Sequence, residues 1–110
     1  MNDTIDSYQL LSNAIILQAI DDYKKNPKII AAREKKLHKL KQVLEAVKKT
    51  GIENDIKKAA ARVEKAEKSI MLAKEDQRDI ERFFRSSWYR MLTNVDGEII
   101  LNYLHKEVRA

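Results

Sequence analysis

Two seven-residue repeats of unequal bulk lie on either side of Gly51, and they leave this 110-residue chain few ways to fold. On the N-terminal side Ile30, Leu37 and Leu44 alternate with Leu40 and Val47 at heptad spacing. On the C-terminal side Ile56, Val63 and Ile70 hold one heptad position, and Ala59, Ala66 and Ala73 hold the other. Folding back at residues 51–53 sets Val47 against Ile56, Leu40 against Val63 and Arg33 against Ile70, so the two registers agree over five turns. Small alanines let the leucine-bearing helix approach closely. The expected fold is therefore all-α, organised on an antiparallel helical hairpin of coiled-coil type. Arg33 alone interrupts the apolar series. Its stem is expected to lie along the seam with the guanidinium turned out to water.

The flanking stretches supply two more helices. The first is expected over 4–25, capped by Asp3 or Thr4 and ending at Lys24-Lys25, whose charges suit a helix C-terminus. Ile5, Tyr8, Leu11, Ala14, Ile15, Ile16, Ile20 and Tyr23 form its apolar stripe, and Leu10 and Leu17 widen it. A stripe that wide needs at least two neighbours. Asn26-Pro27 reads as a break, with Asn26 capping a new helix over 27–49 and Gly51 taking the left-handed position after it. The next helix, capped by Asn54, is expected over 54–92, with a kink at Ser86–Ser87 allowed but not required. It would span roughly 55–60 Å against roughly 33 Å for its partner. Its surplus carries Ile80, Phe84, Trp88 and Met91, which the first and last helices must cover. The last helix is expected over 96–108, capped by Asn94 or Asp96, with Ile99, Ile100, Tyr103, Leu104 and Val108 as its stripe. Residues 1–110 read as one domain.

Charge is distributed unevenly. Residues 1–23 hold four acids and no base, for −4; residues 24–68 hold fifteen bases and six acids, for +9; residues 69–110 balance. A basic middle calls for an acidic partner, whether nucleic acid, a nucleoprotein or an acidic protein surface. The absence of cysteine fits a reducing compartment, and no apolar run is long enough to span a bilayer. The acidic N-terminus does not read as a signal peptide. The expected location is the cytoplasm.

Catalytic chemistry finds little footing, and no enzyme activity is expected. Ser86, Ser87 and His105 are the only pieces for a nucleophilic site, without the glycines of a nucleophile elbow. His38 and His105 lack metal-ligand spacing, and the only glycines, Gly51 and Gly97, cannot build a phosphate loop. Asn94, Asp96, Gly97 and Glu98 superficially resemble a calcium loop but lack its first ligand and its bidentate glutamate, so helix capping is their expected role. No cofactor or metal is implied. The basic residues are the better lead. Lys35, Lys36, Lys39, Lys57, Lys58, Arg62 and Lys65, with Lys41, Lys48, Lys49 and Lys68, coat the hairpin away from its seam, some paired with Glu34, Glu45, Glu64 or Glu67 at helical spacing. No aromatic residue interleaves with them, so phosphate contact is available to them and base stacking is not. A second candidate face comprises Arg78, Arg82, Arg85 and Tyr89, spaced four, three and four along one helix, the residue types of interface hot spots. Glu75, Asp79 and Glu81 are the alternative ion-pair partners of these arginines. Phe83, Phe84 and Trp88 are assigned to the core, with one of the adjacent phenylalanines pointing away from the main seam.

The stretch ERFFRSSWYRMLTNVDGEII, from Glu81 to Ile100, concentrates both Phe, the only Trp and Tyr89 within seven residues. Its pattern ERFFRSxWY, then Leu92-Thr93, then Asp96-Gly97-Glu98 and an aliphatic pair, resembles a group of small helical proteins of phages and prophages of Gram-positive bacteria. The resemblance covers about Glu81 to Leu104, with a looser echo over Ala14 to Tyr23. It implies a phage accessory protein working in the bacterial cytoplasm, and no biochemical activity of its own. Two functions are expected to compete. One is a non-catalytic binding protein that engages a host or defence protein or nucleoprotein, an inhibitor of a CRISPR-type nuclease being one form. The other is a nucleic-acid-binding accessory of phage replication or recombination. A secreted helical hairpin of the Trp-x-Gly type is set aside, because Trp88 is followed by Tyr89-Arg90. Apolar surface left over on the hairpin is compatible with a homodimer.

Overall fold

The computed structural model describes residues 3–109, with side chains from 7 to 108. Four helices follow one another: α1 (Asp3–Lys48), α2 (Glu53–Phe84), α3 (Ser87–Leu92) and α4 (Gly97–Arg109). No strand occurs among the described residues, and no helix there is long and apolar enough to cross a membrane. The cap expected at Asp3 or Thr4 rests on side chains outside the described ones. The chain divides into two compact units, Met1–Pro27 with Asp76–Ala110, and Lys28–Glu75.

In the unit of residues 28–75 the expected hairpin forms. Gly51 turns the chain at φ +71, the left-handed value expected of it, and the Thr50 hydroxyl donates to the Val47 carbonyl at 2.7 Å. α2 begins at Glu53, one residue before the expected cap Asn54. Ala59, Val63, Ile70 and Ala73 are buried along the seam, whereas Ile30, Leu37, Leu40, Leu44 and Val47 of α1 are only half-buried. Cross-hairpin contacts follow the expected register: Lys74 Nζ lies 3.5 Å from Glu34, Lys41 Nζ lies 3.9 Å from Glu67, and Arg33 donates to the Ser69 carbonyl at 2.9 Å. Arg33 is exposed, as expected of an arginine that carries its guanidinium out past the seam, and one of its N–H groups also ties the two helices together at the Ser69 carbonyl.

The other unit departs from expectation at two places. α1 runs without interruption through Asn26-Pro27, where a break was expected. Proline has no N–H, so the carbonyl four residues back, on Tyr23, loses its helical donor. Gln77 of α2 replaces it, its side-chain amide donating to that carbonyl at 3.2 Å. The Asn26 amide, which is buried, holds Gln77 in place by donating to its Oε1 at 3.1 Å. The breaking tendency of proline is therefore offset from fifty residues away. Replacing Gln77 with Leu is expected to cost about 1–3 kcal/mol, since it strands a buried carbonyl. With Pro27→Ala in the same chain the backbone N–H returns, and the loss should shrink by at least ~1 kcal/mol. Urea denaturation of the four chains checks this, and equal losses in both backgrounds would remove Gln77 from the account.

The second departure is a break at Arg85–Ser86 inside the helix expected over 54–92. α2 ends at Phe84, and Ser86 adopts an extended conformation (φ −82, ψ 159) as the N-cap of α3. The Ser86 hydroxyl donates to the Phe83 carbonyl at 2.6 Å and accepts from the Tyr89 N–H at 3.1 Å. These local bonds give the backbone an alternative to continuing the helix. The break resets the helical phase, so Tyr89 and Leu92 turn inward in place of Trp88 and Met91. Trp88, expected in the core, is 54% exposed and meets Phe83 edge-to-face, with ring centroids 5.3 Å apart. The core consists of Tyr23, Phe84, Tyr89, Leu101 and Leu104, flanked by Ile16, Ala19, Ile20, Ile80, Phe83 and Ile100. Of the two adjacent phenylalanines, Phe84 is buried and Phe83 only half so. α4 begins where Asp96 accepts the Glu98 N–H at 3.0 Å, as one of the two expected caps.

Candidate functional site

Neutralisation sorts the cations of residues 28–75 in a way that residue spacing does not. Lys48, Lys57 and Lys68 pair within their own helices, with Glu45, Glu53 and Glu64. Glu34 and Glu67 instead reach across the hairpin to Lys74 and Lys41. Of the seven cations assigned to the basic face, Lys57 is paired. Lys35, Lys36, Lys39, Lys58, Arg62 and Lys65 make no ion pair among the described residues. Four cations surround one groove of about 390 Å³, Arg33 and Lys36 on α1, Arg62 and Lys65 on α2. Leu40 and Ala66 form its half-buried floor, Ser69 also lines it, and no acid does so among the described residues. Lys58, Arg62 and Lys65 succeed one another at four and three residues, a single line along α2. Cations brought together without counter-charge beside an apolar floor raise the local potential and draw in an acidic ligand.

Arg33 belongs to this groove, although its heptad position assigns it to the seam. The signal was present in the sequence, since an arginine among leucines must find a polar outlet. Which outlet it takes depends on where the Ser69 carbonyl comes to rest.

The second candidate face is not assembled as expected. Arg78, Arg82 and Arg85 are exposed, but Tyr89 is only 1% exposed and lies among Phe83 and Phe84. The break at Ser86 removes it from the line of arginines. Its hydroxyl is buried without a hydrogen-bond partner among the described residues, and burial, then the nearby Asp96 charge, pushes the phenol up. Arg82 pairs with Asp79, and Arg85 donates to Glu98 of α4 at 2.6 Å, a bond that raises the guanidinium further above its ordinary value. Those charges are largely matched.

Two of the residues weighed for catalysis, Ser86 and His105, have structural employment. Ser86 is the cap of α3 described above. His105 lies 3.6 Å from Glu81, which also accepts the Tyr23 hydroxyl at 2.9 Å. Burial, then the Glu81 bond, pushes the Tyr23 phenol up to about 12, so it stays protonated at ordinary pH. Among the described residues no group of His, Cys, Asp or Glu is placed to hold a metal ion. Comparison with protein-family models, curated proteins and solved structures yields no match to this chain.

Proposed function

We propose that this chain is a non-catalytic binding protein that holds an acidic partner against the cationic side of its hairpin. The supporting observation is the groove rimmed by Arg33, Lys36, Arg62 and Lys65 and lined by no acid among the described residues, while the cross-hairpin glutamates are occupied elsewhere. The phage resemblance directs the search for a partner to host or defence proteins and nucleoproteins, CRISPR-type nucleases among them. The groove favours a protein surface over bare nucleic acid, because its floor is apolar and no aromatic platform lies beside the lysines. The alternative, direct contact with nucleic acid, is favoured by the same unpaired cations and would be independent of base sequence.

Charge reversal separates these readings. Lys36→Glu, Arg62→Glu and Lys65→Glu together are expected to leave the fold intact, since all three side chains are exposed. They should abolish capture of a partner from the bacterial host, and capture by the unaltered chain should survive nuclease treatment. If nucleic acid is the ligand, duplex retention should weaken with a log–log salt slope of roughly −0.9 per phosphate contacted. A partner held equally well by the triple variant would end the proposal.

A further inference from the structure

The sequence gives α1 an apolar stripe wide enough for two neighbours, and within its unit the fold covers one side of it. Ile16, Ala19, Ile20 and Tyr23 face the core. Leu10 and Leu17, one heptad apart, are 71% and 63% exposed, with exposed Ala14 between them and exposed Leu11 at their flank. Large aliphatic side chains at heptad spacing on the outside of a helix mark a contact waiting for its partner. This stretch is also the acidic end of the chain, with four acids and no base before Lys24.

We propose that this leucine face of α1 docks into the cationic groove of a second copy of the chain. The two surfaces match in three respects. Leu10 to Leu17 spans seven residues, about 10 Å of helix, and so do Arg33 to Leu40 and Arg62 to Ser69 along the groove. The groove floor is Leu40 and Ala66, an apolar surface for leucines to cover. The signs are opposite, −4 over residues 1–23 against +9 over residues 24–68. Asp21 and Asp22 lie four and five residues beyond Leu17; they are held at 2.8 Å by Lys25 and by the Gln18 amide respectively, both exposed contacts that exchange partners at little cost. Nucleic acid would satisfy the cations but leave the leucines bare. A second copy accounts for both surfaces at once. The contact is heterologous, joining different patches on the two copies. It rests on the groove described above and not on the identity of the partner proposed for it, and a copy docked there excludes that partner.

Complementation between full-length variants provides the test. One variant carries Leu10→Ser and Leu17→Ser, the other Arg62→Glu and Lys65→Glu, all at exposed positions, with circular dichroism to confirm helical content. Light scattering at low salt should show the unaltered chain above its monomer mass of 12.8 kDa, rising with concentration. Each variant alone should be monomeric, its self-association weakened at least tenfold. Mixed, the two should recover a 1:1 heterodimer, because one intact face meets one intact groove. A monomeric unaltered chain, a variant that still self-associates, or a mixture that fails to recombine would each overturn the proposal. The leucine variant keeps its groove and so should still capture the acidic host partner. If complementation succeeds and capture fails, the self-association stands and the proposed function falls.

Discussion

Gly97→Ala should destabilise the unit of residues 1–27 and 76–110 by about 3 kcal/mol or more, the upper end of overpacking effects. A Cβ at Gly97 would sit 1.9 Å from the Phe84 carbonyl oxygen, 2.8 Å from its carbon and 3.3 Å from the ring of Tyr89. The obstacle is backbone at the end of α2, which cannot rotate aside as a flexible side chain would. Helix propensity alone predicts the opposite sign, since Ala is favoured over Gly within a helix by about 1 kcal/mol. Gly51→Ala supplies the comparison. A Cβ there meets open space, but the residue sits at φ +71, so the expected cost is only the left-handed penalty of about 1–2 kcal/mol. Denaturant midpoints of the two variants decide the matter. A Gly97→Ala chain no weaker than the Gly51→Ala chain would mean that α4 does not start against the end of α2.

Phe84→Ala is expected to cost about 3–5 kcal/mol, and Trp88→Ala at most about 1 kcal/mol, though tryptophan loses the larger side chain. Phe84 is 2% exposed and meets Phe83 and Tyr89 edge-on at 5.3 and 5.4 Å between ring centroids. Removing it leaves a void that the surrounding rings cannot close. Trp88 projects from α3 with more than half its surface in water, so its removal forfeits one edge contact and little burial. Thermal unfolding of the two variants should rank them in that order. The reverse ranking would restore the continuous helix through residue 88 that the spacing of Ile80, Phe84 and Trp88 first implies.

The hairpin was legible because its determinants are periodic and local. Leucines opposite alanines, a glycine able to take φ +71 and matching heptads all act within two adjoining helices. The basic character of residues 24–68 was equally plain, as charge is additive along a chain. Which lysines remain unpaired was not, because Glu34 and Glu67 spend their charge across the hairpin on residues outside their own helices. The assignment of Tyr89 to an arginine face failed for a related reason. One serine cap at residue 86 shifts the phase of everything after it, and spacing arguments assume that phase is kept.

The sequence by itself determined the helical class, the fold-back at Gly51 and the separation of an acidic end from a basic middle, since each follows from side-chain period and charge. Tertiary structure alone decided that α1 continues through Pro27 and that four cations meet round one apolar floor. For Pro27 the decisive partner lies far off in sequence, Gln77 for the Tyr23 carbonyl; the exchange of Trp88 for Tyr89 in the core is set instead by the local cap at Ser86. The groove arises where two helices meet. Its apolar floor and its unmatched charge are properties of that meeting and of neither helix alone.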